Sequence, residues 1–153
     1  MKCPVVVLGL GNPLMGDEGI GVYLVEQLRR SAGEHPSVDF VDAGTGGLSM
    51  LHYIEDRRKA IIIDCVFMDE EPGVIRRFTP EEVRSRKVLA HQSLHEADLM
   101  RILEMARQLG QAPEQVILFG IQPERVEFGC GLSPTLTHKA HEYIALILHE
   151  LQE

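Results

Sequence analysis

The stretch Val5 to Leu28, "VVVLGLGNPLMGDEGIGVYLVEQL", decides the fold. "VVVLGL" is an apolar run of strand length, as expected for a central strand covered on both faces. A glycine-rich turn ends it. From Asp17 to Arg30 the residues Ile20, Leu24, Val25 and Leu28 recur at helical spacing, which predicts a first helix packed on the sheet. A strand, a glycine turn and a helix often cradle a phosphate, but this turn does not suit one. The position that would supply the third glycine of G-x-G-x-x-G after Gly9 and Gly11 is Leu14, and no Lys followed by Ser or Thr is present. Asp17 and Glu18 put two carboxylates where an anion would sit, so the loop suits a cation and no nucleotide cofactor is expected.

Outward from this opening, strand and helix signals alternate, the pattern of an α/β layer fold with a mainly parallel sheet. "VDFVDAGTGG" predicts a second strand with a glycine-rich exit, "LSMLHYIEDR" a short helix, and "KAIIIDCVF" a buried third strand. "VIRRFTP" reads as a weaker strand at an edge, followed by a polar segment to about Lys87 read as loop. In "SLHEADLMRILEMARQLG", Ser93 and Glu96 form a capping box, Leu99, Ile102, Leu103 and Ala106 the buried stripe, and Gly110 the stop. "EQVILFGIQP" predicts another buried strand. The last helix starts with Ser133 as cap and Pro134 in its first turn, with Leu136, Ala140, Ile144, Ile147 and Leu151 on its core face. The expectation is a three-layer α/β/α fold and one domain over residues 1–153.

Composition bounds the function. A hydrophobic fraction of 44% with 25% charged residues is that of a globular protein, and no apolar run approaches the ~20 residues of a membrane span. A net charge of -8 without a Lys/Arg-rich stripe argues against a nucleic-acid partner. Cys3, Cys65 and Cys130 lack C-x-x-C spacing and read as small buried hydrophobes in a reducing compartment. The opening reads as a first strand rather than a signal peptide, so a cytoplasmic protein is expected.

Ligands of open α/β sheets bind beyond the carboxyl ends of the strands. Glu18 falls just past the first strand, and Asp64 closes the third. His95 falls in the first turn of the capped helix, four residues before Leu99 and on its inward face. Each has an ordinary explanation taken alone: Asp17 or Glu18 as helix-capping acids, Asp64 as a strand end, His95 as a packed core residue. Together they could converge on one rim, where two oxygen ligands and an imidazole suit a borderline divalent metal such as nickel or zinc. His138 and His141 have no evident third ligand and read as surface residues. No G-x-S-x-G elbow or H-E-x-x-H helix is present. Cys65 follows Asp64 but should point to the other face of the sheet.

These residues resemble the nickel-iron hydrogenase maturation endopeptidases, which trim the C-terminal extension of the hydrogenase large-subunit precursor. "GLGNPLMGDEGIG" is similar to their opening G-x-G-N-x-L-x-x-D-[DE]-x-x-G signature, "DAGTGG" to a D-x-G-T segment, and "IIIDCV" to a third-strand Asp motif. "SLHEADL" is similar to S-x-H-x-x-G-L, with Asp98 where the family often has glycine, and "GLSPTL" to the pattern ahead of the last helix. The resemblance implies a twisted, mainly parallel five-stranded sheet, with Glu18, Asp64 and His95 as metal contacts. It also implies that Asp42, Gly44, Thr45 and Gly46 line a substrate cleft and that the nickel is carried by the precursor. Glu18 and Asp64 are the candidate catalytic carboxylates, acting through a water, and His91 competes with His95 as a ligand. The alternative is a chaperone of hydrogenase assembly that senses nickel without cutting.

Overall fold

The computed structural model describes residues 2–85 and 94–153, with the side chains at 84, 85 and 94–97 outside that description. Five strands form one sheet: β1 (Val5–Gly9), β2 (Val38–Asp42), β3 (Lys59–Cys65), β4 (Ile75–Phe78) and β5 (Gln115–Ile121). Their order is β2-β1-β3-β5-β4, parallel except for β4, which pairs antiparallel with β5 at the edge. The helices are α1 (Ile20–Arg29), α2 (Ser49–Ile54), α3 (Pro80–Ser85), α4 (Leu94–Gln108) and α5 (Pro134–Leu151). The fold is α/β, in three layers as expected.

Period-2 alternation divides the core. Val7, Ile61, Ile63, Ile117 and Phe119 meet Ile20, Leu24 and Leu28 of α1 and Leu136, Tyr143 and Ile147 of α5. Val6, Leu8, Ile62 and Leu118 meet Met50 and Ile54 of α2 and Leu99, Ile102 and Ala106 of α4. β1 and β3 are buried along their whole lengths, which is why both read as unbroken apolar runs.

Several boundaries differ from the sequence expectation. The first helix is preceded by a 3-10 turn, Gly16–Gly19, and Asp17 is no helix cap. Its side chain is fully buried and accepts from backbone N–H groups distant in sequence. Part of the segment read as loop after Thr79 is α3. Thr79 Oγ1 accepts from Glu82 N at 3.3 Å while Glu82 Oε1 accepts from Thr79 N at 3.1 Å, a reciprocal capping box around Pro80. The box expected at Ser93 and Glu96 lies outside the described residues. Gly110 ends α4 at φ +71°, and Ser133 caps α5 by accepting from Leu136 N. Of the cysteines only Cys65 is buried; Cys3 and Cys130 are partly exposed, and all three are free. Among the described residues no helix is long and apolar enough to cross a membrane.

Candidate functional site

Close backbone contacts build the site at the carboxyl ends of β1, β2 and β3. Gly21 of α1 lies against the sheet, where a Cβ would stand 2.4 Å from the Ile63 carbonyl oxygen and 2.6 Å from that of Leu10. A Cβ on Gly9 would stand 2.3 Å from the Gly21 carbonyl oxygen. Gly21 therefore provides the close helix-to-strand approach that the missing glycine at position 14 would have provided. Gly11, at φ +128°, lets the chain fold back so far that a Cβ there would stand 1.9 Å from the Glu18 carbonyl oxygen. The turn carrying Glu18 is thereby seated directly above the end of β1, and Glu18 is half-buried.

The second loop docks on the first. Ala43 N donates to Gly9 O at 2.9 Å and Gly11 N to Gly44 O at 2.7 Å. The Asp42 carboxylate accepts from Gly44 N at 2.8 Å, an Asx turn that holds the glycine segment open at φ +55° for Gly44 and +87° for Gly46. Asp42 and Thr45 are exposed, whereas a Cβ on Gly46 would press on Met50. Of the four residues assigned to a substrate cleft, Asp42 thus shapes the turn, and Thr45 with the backbone of Gly44 and Gly46 forms its outer surface.

Asp64 lies one position beyond the register pair Gly9 and Ile63 and opposite Gly120 of β5. It is buried, and its Oδ1 accepts from Cys65 N at 2.8 Å. With Ile62, Val66, Leu99 and Gly120 it lines a crevice of about 10 Å³, room for no more than one water. Leu99 connects this crevice to α4. His95 lies one turn earlier on that helix, about 6 Å along its axis; its side chain, and the whole of His91, are outside the described residues.

Cys65 reports on the electrostatics from the opposite face. Burial first, then the charges of Asp64, Glu18 and Asp17, push its thiol well above the ordinary value. Both Glu18 and Asp64 therefore act on the same point in the sheet, and the thiol is held protonated, unsuited to nucleophilic attack. Among the described residues no three His, Cys, Asp or Glu side chains gather closely enough to hold a metal ion.

Two polar residues organise the rim, Gln122, which the sequence did not mark, and Asp17, which it marked only as a capping acid beside Glu18. Gln122, just past β5, is buried, and its Oε1 accepts from Met68 N at 2.6 Å and Glu70 N at 3.3 Å, tying down the exit of β3. Asp17 binds three backbone N–H groups across the β5–α5 connection. A buried strand followed by a Gln-Pro pair is the one local signal for Gln122; Asp17 had only its adjacency to Glu18. The loops after β1, β2, β3 and β5 carry the exposed apolar residues Leu14, Leu48, Phe67 and Phe128 in turn.

Comparison with known proteins follows this architecture. A family model described as hydrogenase maturation protease matches residues 22–150. The hydrogenase 2 maturation protease of Escherichia coli is 32% identical over 153 aligned positions, covering 97% of this chain and 91% of that protein. The hydrogenase expression/formation protein HoxM of Cupriavidus necator is 37% identical over 123 residues, covering 80% of this chain and 61% of that protein. The solved hydrogenase maturating endopeptidase HybD from E. coli superposes with a TM-score of 0.82 at 28% identity, covering 99% of this chain and 93% of that one. These similarities define a peptide hydrolase on an open α/β sheet. The chain belongs to the hydrogenase maturation protease family.

Proposed function

We propose that this protein is an endopeptidase that removes the C-terminal extension of a nickel-loaded [NiFe] hydrogenase large-subunit precursor, with the bound nickel as its recognition element. The observation that carries the reading is the placement of Glu18 and Asp64 over the carboxyl ends of adjacent strands, beside the glycine turn of Asp42 to Gly46. Glu18, Asp64 and His95 are the residues that contact the nickel carried by the precursor. A precursor whose metal gains these ligands binds productively and an empty one does not, so cleavage is linked to metal loading. The exposed apolar residues on the surrounding loops support a polypeptide substrate rather than a small molecule.

In the reaction, one of the two carboxylates takes a proton from a water molecule whose oxygen attacks the scissile carbonyl carbon. As the C–N bond breaks, that proton passes to the leaving amine, giving a new carboxylate on the large subunit and a free peptide. The reading has the protein acting in the cytoplasm, with no resident cofactor of its own.

The test is to mix the purified protein with its precursor, loaded with nickel or empty, and follow the precursor's mass. Loss of a C-terminal peptide from the loaded form alone is expected. Tight binding with no mass change would replace this reading with that of a nickel-sensing chaperone, and cleavage of both forms would remove nickel as the gate.

A further inference from the structure

Asp17 is fully buried, yet it takes no part in the chemistry proposed above. Its carboxylate is saturated by backbone donors: Oδ2 accepts from Glu124 N and Arg125 N, each at 2.9 Å, and Oδ1 accepts from Ser133 N at 2.7 Å. Around it the two chain segments are stitched directly. Asp17 N donates to Arg125 O at 2.9 Å, Gly16 N to Cys130 O at 3.0 Å, and Gly129 N to Leu14 O at 2.9 Å. Gly16, at φ +62°, is pressed so close that a Cβ would stand 2.7 Å from Arg125 O. The β5–α5 connection, residues 122–133, is therefore clamped to the turn that carries Glu18, and the Asp17 side chain, with three backbone N–H donors, makes the largest share of the clamp.

We infer that Asp17 is a positioning residue: it latches the β5–α5 connection onto the 3-10 turn and so fixes the backbone from which Glu18 reaches the substrate. This rests on the reading of Glu18 as a contact to the loaded precursor. The turn has four residues, the first and last of them glycines, so it has little rigidity of its own. Its orientation comes from Gly11 below and from the latch at its side. An Asn at position 17 would keep one acceptor and turn an amide donor toward a backbone N–H, breaking the latch on one side without changing the size of the side chain.

The experiment is a double-mutant cycle on the dissociation constant for the nickel-loaded precursor, which remains measurable when cleavage is lost. Asp17→Asn should weaken binding at least about tenfold in the parent protein and less than about twofold on a Glu18→Gln background, because a latch that acts through Glu18 has nothing left to position. An equal loss in both backgrounds, or none in the parent, overturns the inference. Should Asp17→Asn not fold, two substitutions at Ser133 take its place. Ser133→Ala keeps the N–H and removes the capping hydroxyl, whereas Ser133→Pro removes both at a φ of -66° that proline adopts. The difference between them reads the bond to Asp17 and should follow the same cycle.

A second readout is independent of the precursor. In a Cys3→Ser background, alkylation of Cys130, which sits on the clamped connection, should run severalfold faster in Asp17→Asn. Unchanged alkylation would overturn the latch itself. If the parent binds loaded and empty precursor alike, the proposed function fails and Asp17's part in it fails too, while alkylation still decides whether the latch exists.

Discussion

Asp64 and Cys65 are neighbours on β3 that face opposite layers: the acid lines the crevice with Leu99, and the thiol packs among residues covered by α1 and α5. The pleat thus separates a reactive-looking pair. Cys65→Ala should leave precursor cleavage within about twofold of the parent, since a buried thiol held protonated contributes packing rather than nucleophilicity. At neutral pH iodoacetamide should modify Cys3 and Cys130 in the folded protein and spare Cys65. Inactivation that tracks Cys65 modification would reinstate a cysteine mechanism.

Glu18→Gln and Asp64→Asn preserve size and remove charge. Asp64→Asn keeps a carbonyl oxygen to accept from Cys65 N, so the strand end should hold. The variant at the carboxylate that serves as base should lose about 10²–10⁴-fold in cleavage rate, the other should cleave more slowly through weaker contact to the loaded precursor, and both thermal midpoints should stay near that of the parent. Retained cleavage in either variant would take that carboxylate out of the proposed site.

Leu99 is 1% exposed and joins α4 to the sheet beneath Asp64. Leu99→Ala should cost about 2–5 kcal/mol in urea unfolding, a core truncation that leaves a cavity. An unchanged midpoint would mean that α4 does not pack through this residue.

At the amino end of β3, Lys59 Nζ donates to Glu150 Oε2 at 2.8 Å, and from the edge strand β4 Arg77 Nε donates to Glu150 Oε1 at 2.6 Å. Burial raises the Glu150 pKa, but hydrogen bonds from Arg77 and Lys59 outweigh it and hold the carboxyl below its ordinary value of 4.5. Because the folded value is the lower one, this contribution is fully present above pH of about 4.5 and is lost as pH falls through the folded value. Denaturation midpoints should drop on acidification in that window in the parent and less in Glu150→Gln. At neutral pH that variant should itself lose about 3–5 kcal/mol by leaving Lys59 buried beside a neutral partner.

Gly21→Ala should be severely destabilising, since the added methyl meets two backbone carbonyls that cannot rotate away. Overpacking typically costs about 1–3 kcal/mol, and rigid neighbours put this case at the upper end. A Gly21→Ala protein as stable as the parent would show that α1 stands farther from β3 than described.

How much of this was legible depended on the distance of each residue's partners along the chain. Apolar runs marked β1, β3 and β5 because their burial is written in consecutive residues, and the stripe of α4 followed from helical spacing. The Ser133 cap and Pro134 were equally local. Asp17 looked like a cap because its partners, Glu124, Arg125 and Ser133, stand 107, 108 and 116 residues away. Glu150 was left off the core face of α5 for the same reason, since its charge is met by Lys59 and Arg77 from other elements. α3 is different: "TPEE" holds its capping box in plain sequence, but the polarity of the segment gives no apolar stripe from which to read a helix. For the proposed site, strand ends pointed to Glu18 and Asp64, and the opening signature ends on Gly21, but no local pattern indicated that this glycine would hold α1 down onto them.

The sheet ends on one side at β4, four residues long, reversed in direction and bearing Arg76 and Arg77 in succession. On the other side β2 carries Asp39 and Asp42. Short borders on which Asp39, Arg76 and Arg77 are already held in ion pairs are poor templates for another strand, because a strand docking there would have to strip water from those pairs or break them. The cost disfavours edge-to-edge fibrillar growth.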